Sequence, residues 1–507
     1  MRYLIVGVVV LVSVSVGVMP SDALATDGDA FARIDSFIES EMRDAGIPGV
    51  ALAIVDGDRA VHLRGFGVAD GSGRPVTPQT RFPIASMSKT FTSLAVMQLV
   101  EAGKLALDEP VRTYIPWFDV GHDPRSAAIS VRHLLTQRSG IPGNADPQAF
   151  NDGDRSPVAL ENNVRRFATT EVLVAPPGAE LHYCNANFDA LGFLVEVASG
   201  ESYETYVKRN IFEPLEMSRT SASFGEARGQ GMAAGFYRWW GVPIPTDMLP
   251  EGRASVPSAG IVSSVEDLAH WLISHLSAGR YRDRSVLTAG GMAQMHQPVG
   301  SEFEHYAMGW FVRPSWDAAT LRPDGSSFDV PTFLSHGGAH PAYHGSLEIF
   351  PDRSLAFALL MNTYDGTSQS RYEHVDWGIR AILLGKEPGP IVLDEPLLRF
   401  LKAIVLGLVV VEVVAATWSI RRWRGGSASL ATPAVAAAAF AFSLAFAFGY
   451  VPSQVRNFLV GIALGRFSDM SLMAIGLIAV PVVWLIALVL SRGRARGRRT
   501  GLLHAAD

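Results

Sequence analysis

The chain has 507 residues, 48% hydrophobic and 18% charged, with a net charge of −6 and an isoelectric point of about 6.1. That balance lacks the basic excess of a nucleic-acid binder, and a single cysteine, Cys184, excludes an internal disulfide or a multi-cysteine zinc site. A mean hydropathy of +0.19 is high for a wholly soluble chain and points to membrane segments.

In chain order, Arg2, the apolar run Leu4–Met19 and Ala23-Leu24-Ala25 have the layout of an export signal, residues 1–25. Cleavage after Ala25 is favoured over an uncleaved anchor because of that small-x-small site. Ala30–Ala45 reads as an amphipathic helix, with Asp29 as N-cap and Gly46 as its stop. Val50–Val55 and Ala60–Val68 form a hairpin across Asp56-Gly57-Asp58-Arg59. A turn-rich stretch over 104–250 holds helices at Val131–Thr136 and Phe188–Ala198, and Val265–Leu276 is a further helix. Tyr306–Val312, Ser346–Phe350 and Leu355–Met361 read as strands, and Tyr372–Leu384 as a closing helix. Strands at both ends with helices between predict one sheet built from distant segments, with a helical insertion.

From Phe400 the character changes. The apolar runs 403–420, 427–450 and 471–490 are each long enough to span a bilayer. Arg421, Arg422 and Arg424 follow the first, and Arg492, Arg494, Arg496, Arg498 and Arg499 follow the third. Positive-inside bias puts these clusters in the cytoplasm and the domain before them outside it. The predicted organisation is therefore a signal over 1–25, an extracytoplasmic domain over 26–393 and a membrane region over 394–507 with a basic cytoplasmic tail. Glu412 falls inside the first span, where a carboxylate is costly, and no partner for it is evident.

The chemistry centres on Ser86-Met87-Ser88-Lys89, where an extended run passes into a helix closed by Gly103. A lysine one turn from a serine is within reach of its hydroxyl proton, and the N–H groups at a helix start favour negative charge on a substrate oxygen. Lysine is scarce here, occurring otherwise only at Lys104, Lys208, Lys386 and Lys402, so a chance Ser-x-x-Lys is improbable. His336, His340 and His344 would share a helical face, but the glycines between them and Pro341 argue against a helix and so against a metal. There is no Gly-x-x-x-x-Gly-Lys loop and no His-Glu-x-x-His, so no cofactor is expected.

Further motifs accompany it: Val131-Arg-His-Leu-Leu-Thr136-Gln-Arg-Ser-Gly140-Ile-Pro142, Pro177-Gly178, Tyr183-Cys-Asn185, Ile211–Met217, Ser258–Leu268, Met308-Gly-Trp310 and His336-Gly-Gly338. In this order they resemble the serine β-lactamase and penicillin-binding-protein-like hydrolases, in the branch related to class C β-lactamases, over roughly residues 34–384. The resemblance implies an α/β (α+β) fold of the β-lactamase/transpeptidase type, an antiparallel sheet flanked by helices with a helical subdomain. It implies Ser86 as the acylated nucleophile, Lys89 as its proton partner and Tyr183 as sharing the general-base role. Asn185 would bind the substrate amide and position Lys89, and Ala339 after Gly338 would supply an oxyanion N–H beside that of Ser86. His336 stands where true β-lactamases have lysine and would grip a substrate carboxylate less firmly, which favours likeness to peptidase and esterase relatives. Cys184 reads as a packing residue. Gln137 stands where many relatives have histidine, and no role is assigned to it.

The expected function is a membrane-anchored serine hydrolase forming an acyl-enzyme on amide or ester substrates, including D-amino-acid cell-wall peptides. An esterase of small or lipid-like acyl esters, or a catalytically idle sensor or scaffold, are the alternatives.

Overall fold

The computed structural model describes residues 28–389, apart from 144, 146–151, 240–241, 247–248, 250–251, 301–304, 314–329 and 365–368, together with five isolated positions between 407 and 421. The export signal and nearly all of the three apolar runs lie outside the described residues. Among those described, no helix is long and apolar enough to cross a membrane.

Six strands form one antiparallel sheet: β1 (Gly49–Asp56), β2 (Arg59–Gly67), β3 (Phe311–Arg313), β4 (Phe333–His340), β5 (Tyr343–Phe350) and β6 (Leu355–Met361). Their spatial order is β2-β1-β6-β5-β4-β3, so β1 pairs with the last strand, Val50 opposite Met361. The main helices are α1 (Gly28–Ala45), α2 (Ser88–Glu101), α3 (Asn185–Ser199), α4 (Val265–Leu276) and α5 (Gln369–Leu383). β1 is a continuous apolar run because both its faces are covered. Val50, Leu52 and Ile54 pack into a cluster with Ile34 and Ile38 of α1 and Val375 and Ile379 of α5. Ala51, Ala53 and Val55 face a larger cluster that includes Phe91 of α2 and Leu268 and Leu272 of α4. β6 repeats the division: Phe357 and Leu359 turn to the first cluster, Ala356 and Ala358 to the second. Small residues on that face let α4 lie close to the sheet.

α2 is buried nearly all round, from Ser88 to Met97. The Phe91 ring stacks on Trp271 of α4 at 3.9 Å. Two of its hydroxyls are matched inside the core: Thr92 donates to the Pro257 carbonyl at 2.7 Å, and Ser88 Oγ accepts from Ile261 N at 3.0 Å. A polar helix face can be buried at little cost only when it is paired in this way.

Two sequence expectations need correction. α1 begins at Gly28, so Asp29 lies in its first turn rather than at its cap. The strand expected over Tyr306–Val312 shrinks to Phe311–Arg313, with Tyr306 held only by isolated bridges, because Gly309 (φ 80°) turns the chain. A Cβ at Gly309 would lie 2.6 Å from Ser93 Oγ and 3.0 Å from the Lys89 carbonyl, so the turn presses directly on α2.

Candidate active site

Ser86 lies in a single turn of 3-10 helix, Ala85–Met87, that runs straight into α2. Its neighbour Ala85 has φ 49°, a left-handed conformation unusual for a residue with a side chain. The surrounding structure enforces it, since Ile84 N is fixed to the Ile261 carbonyl at 3.0 Å. Ser86 stays partly open to solvent while both neighbours are buried.

Lys89 follows in the first turn of α2 and is completely buried. Its Nζ donates to Ser86 Oγ at 3.1 Å, to Asn185 Oδ1 at 2.6 Å and to the Ser258 carbonyl at 2.9 Å. None of these acceptors is a carboxylate. When Nζ is an ammonium its three hydrogens match the three acceptors; when neutral it has a lone pair for the Ser86 proton. Nζ also stands 4.9 Å from the centroid of the Tyr183 ring and 5.7 Å from that of Phe188, so Tyr183 meets Lys89 through its π-face.

Asn185 opens α3, and the extended stretch before it carries Tyr183. The Tyr183 ring is walled by Phe311, stacked at 6.0 Å, by Tyr306, edge-on at 6.1 Å, and by His336 at 6.2 Å. Burial and the neighbouring Tyr183 push the Tyr306 phenol well above the usual tyrosine range.

β4 supplies the opposite wall. It pairs with β3 only through Phe333–Ser335, so among the described residues 336–339 lie beyond the β3 pairing at the sheet edge. At Gly338 a Cβ would lie 2.2 Å from the Ile84 carbonyl, an approach only glycine allows, and this close contact seats the strand against the nucleophile's turn. Ala339, the next residue, is exposed.

His336 does not behave as the sequence suggests. The residue is 1% exposed, and burial together with the Lys89 charge pushes its imidazole down to about 3, so it is neutral at working pH. Its Nδ1 donates to the Gly337 carbonyl at 2.7 Å, and Nε2 faces the Tyr306 hydroxyl at 3.5 Å. It therefore lines the site among the rings of Tyr183 and Phe311. Cys184 is wholly buried, with its thiol pushed up to about 12 by desolvation, as suits a packing residue.

The structure thus brings Ser86, Lys89, Tyr183 and Asn185 together and sets His336, Gly338 and Ala339 on the facing strand. Sequence reasoning missed the Ser258 carbonyl, Tyr306 and Phe311. Ser258 and Tyr306 lie in or beside quoted motifs, but their contacts with Lys89 and Tyr183 are long-range.

A serine and a buried lysine at the head of a helix, facing a tyrosine–asparagine turn and a strand edge, are the arrangement expected in the β-lactamase-fold serine hydrolase family. Comparison with known families agrees: residues 34–376 match the family described as Beta-lactamase, and the chain belongs to it. It is 30% identical over 332 residues to penicillin-binding protein 4 of Amycolatopsis lactamdurans, covering 64% of this chain and 82% of that one. It is 29% identical over 290 residues to Protein flp of Staphylococcus aureus (strain MRSA252), but the match spans only 56% of either chain. Among solved structures it resembles the octameric penicillin-binding protein homologue from Pyrococcus abyssi, with a TM-score of 0.59 and 29% identity over 71% of this chain and 79% of that one. It also resembles EstCE1, a hydrolase with promiscuous acyltransferase activity, with a TM-score of 0.58 and 25% identity over 70% of this chain and 99% of that one.

Proposed function

We propose that this chain is a serine acyl hydrolase that works through an acyl-enzyme on Ser86, held at the outer face of a membrane by its C-terminal apolar runs. The observation that carries the reading is the hydrogen bond of 3.1 Å between Ser86 Oγ and a buried Lys89. Lys89, in its neutral form, takes the Ser86 proton as Oγ attacks the acyl carbon. The N–H groups of Ser86 and Ala339 receive the developing oxyanion. As the tetrahedral intermediate collapses, the leaving alcohol or amine takes a proton from the Lys89–Tyr183 pair. Water then attacks the acyl-serine, giving its proton to the same pair, and releases the acid with Ser86 restored.

The substrate is an amide or ester, with D-amino-acid peptides of the cell wall one class. The neutral, buried His336 within an aromatic wall favours a second, narrower reading: acyl groups without a carboxylate beside the scissile bond, as in simple esters. The likeness to EstCE1 supports that direction.

The test uses the full-length chain with a p-nitrophenyl ester and a fluorescent penicillin, beside Ser86→Ala, read by turnover and intact mass. An acyl adduct mapped to Ser86 and absent from the variant is expected, with ester turnover exceeding that of penicillin. Equal turnover by wild type and Ser86→Ala would sink the mechanism. Absence of both adduct and turnover would favour an idle scaffold.

A further inference from the structure

We infer that Gln137 is a positioning residue that holds Tyr183 at the nucleophile by clamping the chain on both sides of it. The inference rests on the hydrolase reading above. Gln137 lies wholly buried and has φ 60°, a left-handed value that costs a side-chain-bearing residue energy. Such strain persists where the surroundings demand it. Here the demand is visible. The Gln137 main-chain carbonyl accepts from His182 N at 2.8 Å, and its side-chain Oε1 accepts from Cys184 N at 2.9 Å. The residues before and after Tyr183 are thus both bonded to one residue, the first through its backbone and the second through its side chain.

The same Oε1 accepts from Asn187 Nδ2 at 2.6 Å, tying the clamp to the first turn of α3, which Asn185 opens. Asn187 Oδ1 in turn accepts from Ser139 Oγ at 2.6 Å, and Ser139 Oγ accepts from Ile141 N at 3.1 Å. Gln137, Ser139, Ile141, Cys184 and Asn187 are all buried, so most of this web is kept from water. An ordinary backbone could not do this, because in the left-handed conformation Gln137 directs its carbonyl and its side chain to the same loop. Gln137 has no hydrogen bond to Ser86 or Lys89; its effect on the chemistry passes through the loop that presents Tyr183 and Asn185.

The clamp predicts a particular kinetic signature in the full-length protein. Gln137→Met keeps the length of the side chain and removes the acceptor, leaving Cys184 N–H and the Asn187 amide unpaired. The ester kcat is expected to fall about 100-fold while KM stays within about threefold, as for a displaced catalytic group. Gln137→Glu keeps an oxygen where both donors point and is expected to recover most of the rate. Combining Gln137→Met with Tyr183→Phe should cost much less than the product of the two single losses, because both act through the loop that carries Tyr183.

A merely structural role gives another pattern. The folded fraction of Gln137→Met would then be fully active, with only the melting temperature lowered, or any loss of kcat would multiply with that of Tyr183→Phe. Either result overturns the inference. An inactive Ser86→Ala beside an unchanged kcat in Gln137→Met would overturn it alone. Equal activity of wild type and Ser86→Ala would overturn the hydrolase reading and this inference with it.

Discussion

Replacing Lys89 with methionine separates what the lysine does for chemistry from what it does for the fold. Methionine fills a similar volume with an unbranched, apolar chain. Two of the acceptors it abandons, Asn185 Oδ1 and the Ser258 carbonyl, become unpaired, at about 1–3 kcal/mol each. Against that, a fully buried amino group is removed whose described acceptors include no carboxylate, and desolvating the charged form of such a group costs several kcal/mol even after relaxation. The two effects are of similar size, so Lys89→Met is expected to stay within about 3 kcal/mol of wild type in stability. Its kcat on a p-nitrophenyl ester is expected to fall by a factor of about 10³, the ordinary worth of a positioned proton acceptor. Equilibrium unfolding in urea and burst kinetics measure the two sides. A variant that keeps a tenth of the activity would refute the role given to Lys89, and one whose stability changes by more than about 3 kcal/mol would refute the balance of the two effects.

Other expectations follow from single contacts. Gly338→Ala would place a Cβ 2.2 Å from the Ile84 carbonyl, forcing β4 off the nucleophile's turn; overpacking of this kind costs about 1–3 kcal/mol, and acylation measured by stopped flow should fall at least tenfold more than stability explains. His336 is held near 3 in the folded chain and titrates near 6.5 unfolded, so the unfolded state binds the extra proton between those values. Stability from this residue is complete above pH 6.5 and is lost as pH falls towards 3; urea unfolding from pH 7 to 4.5 should show wild type losing ground to His336→Gln, and parallel curves would contradict it. The Cys184 thiol, pushed up to about 12 and buried, should resist iodoacetamide at pH 8, with full ester turnover retained; a mass adduct on the native protein would count against this.

Much of the sheet was legible because its strands are continuous apolar runs between clear turns: Leu355–Met361 and Val265–Leu276 end where the sequence says they do. Tyr306–Val312 misled because alternation is a local signal, whereas Gly309 bends the chain to meet α2, a contact no short window contains. The proximity of Ser86 and Lys89 could be read from a helical turn. The charge state of His336 could not, since a histidine's burial depends on the aromatic rings of Tyr183, Tyr306 and Phe311 arriving from other segments. Gln137 carried no signal at all beyond its place in a motif. Its meaning lies in an unusual backbone angle and in partners far along the chain.

The pairing of β1 with β6 sets a timetable for biosynthesis. At ribosomal rates of about 5–20 residues per second, Val50 emerges roughly a quarter of a minute to a minute before Met361, its partner across the sheet, exists. In that interval β1 lacks its in-sheet neighbour β6, and the face it shares with α1 lacks α5, because both of these come last. A two-stranded hairpin is marginal by itself. The nascent chain must therefore remain unfolded, or be held by a chaperone, until almost the whole domain has been made. Slowing translation between Phe82 and Leu355 should then raise aggregation, while slowing it after Met361 should leave the yield unchanged.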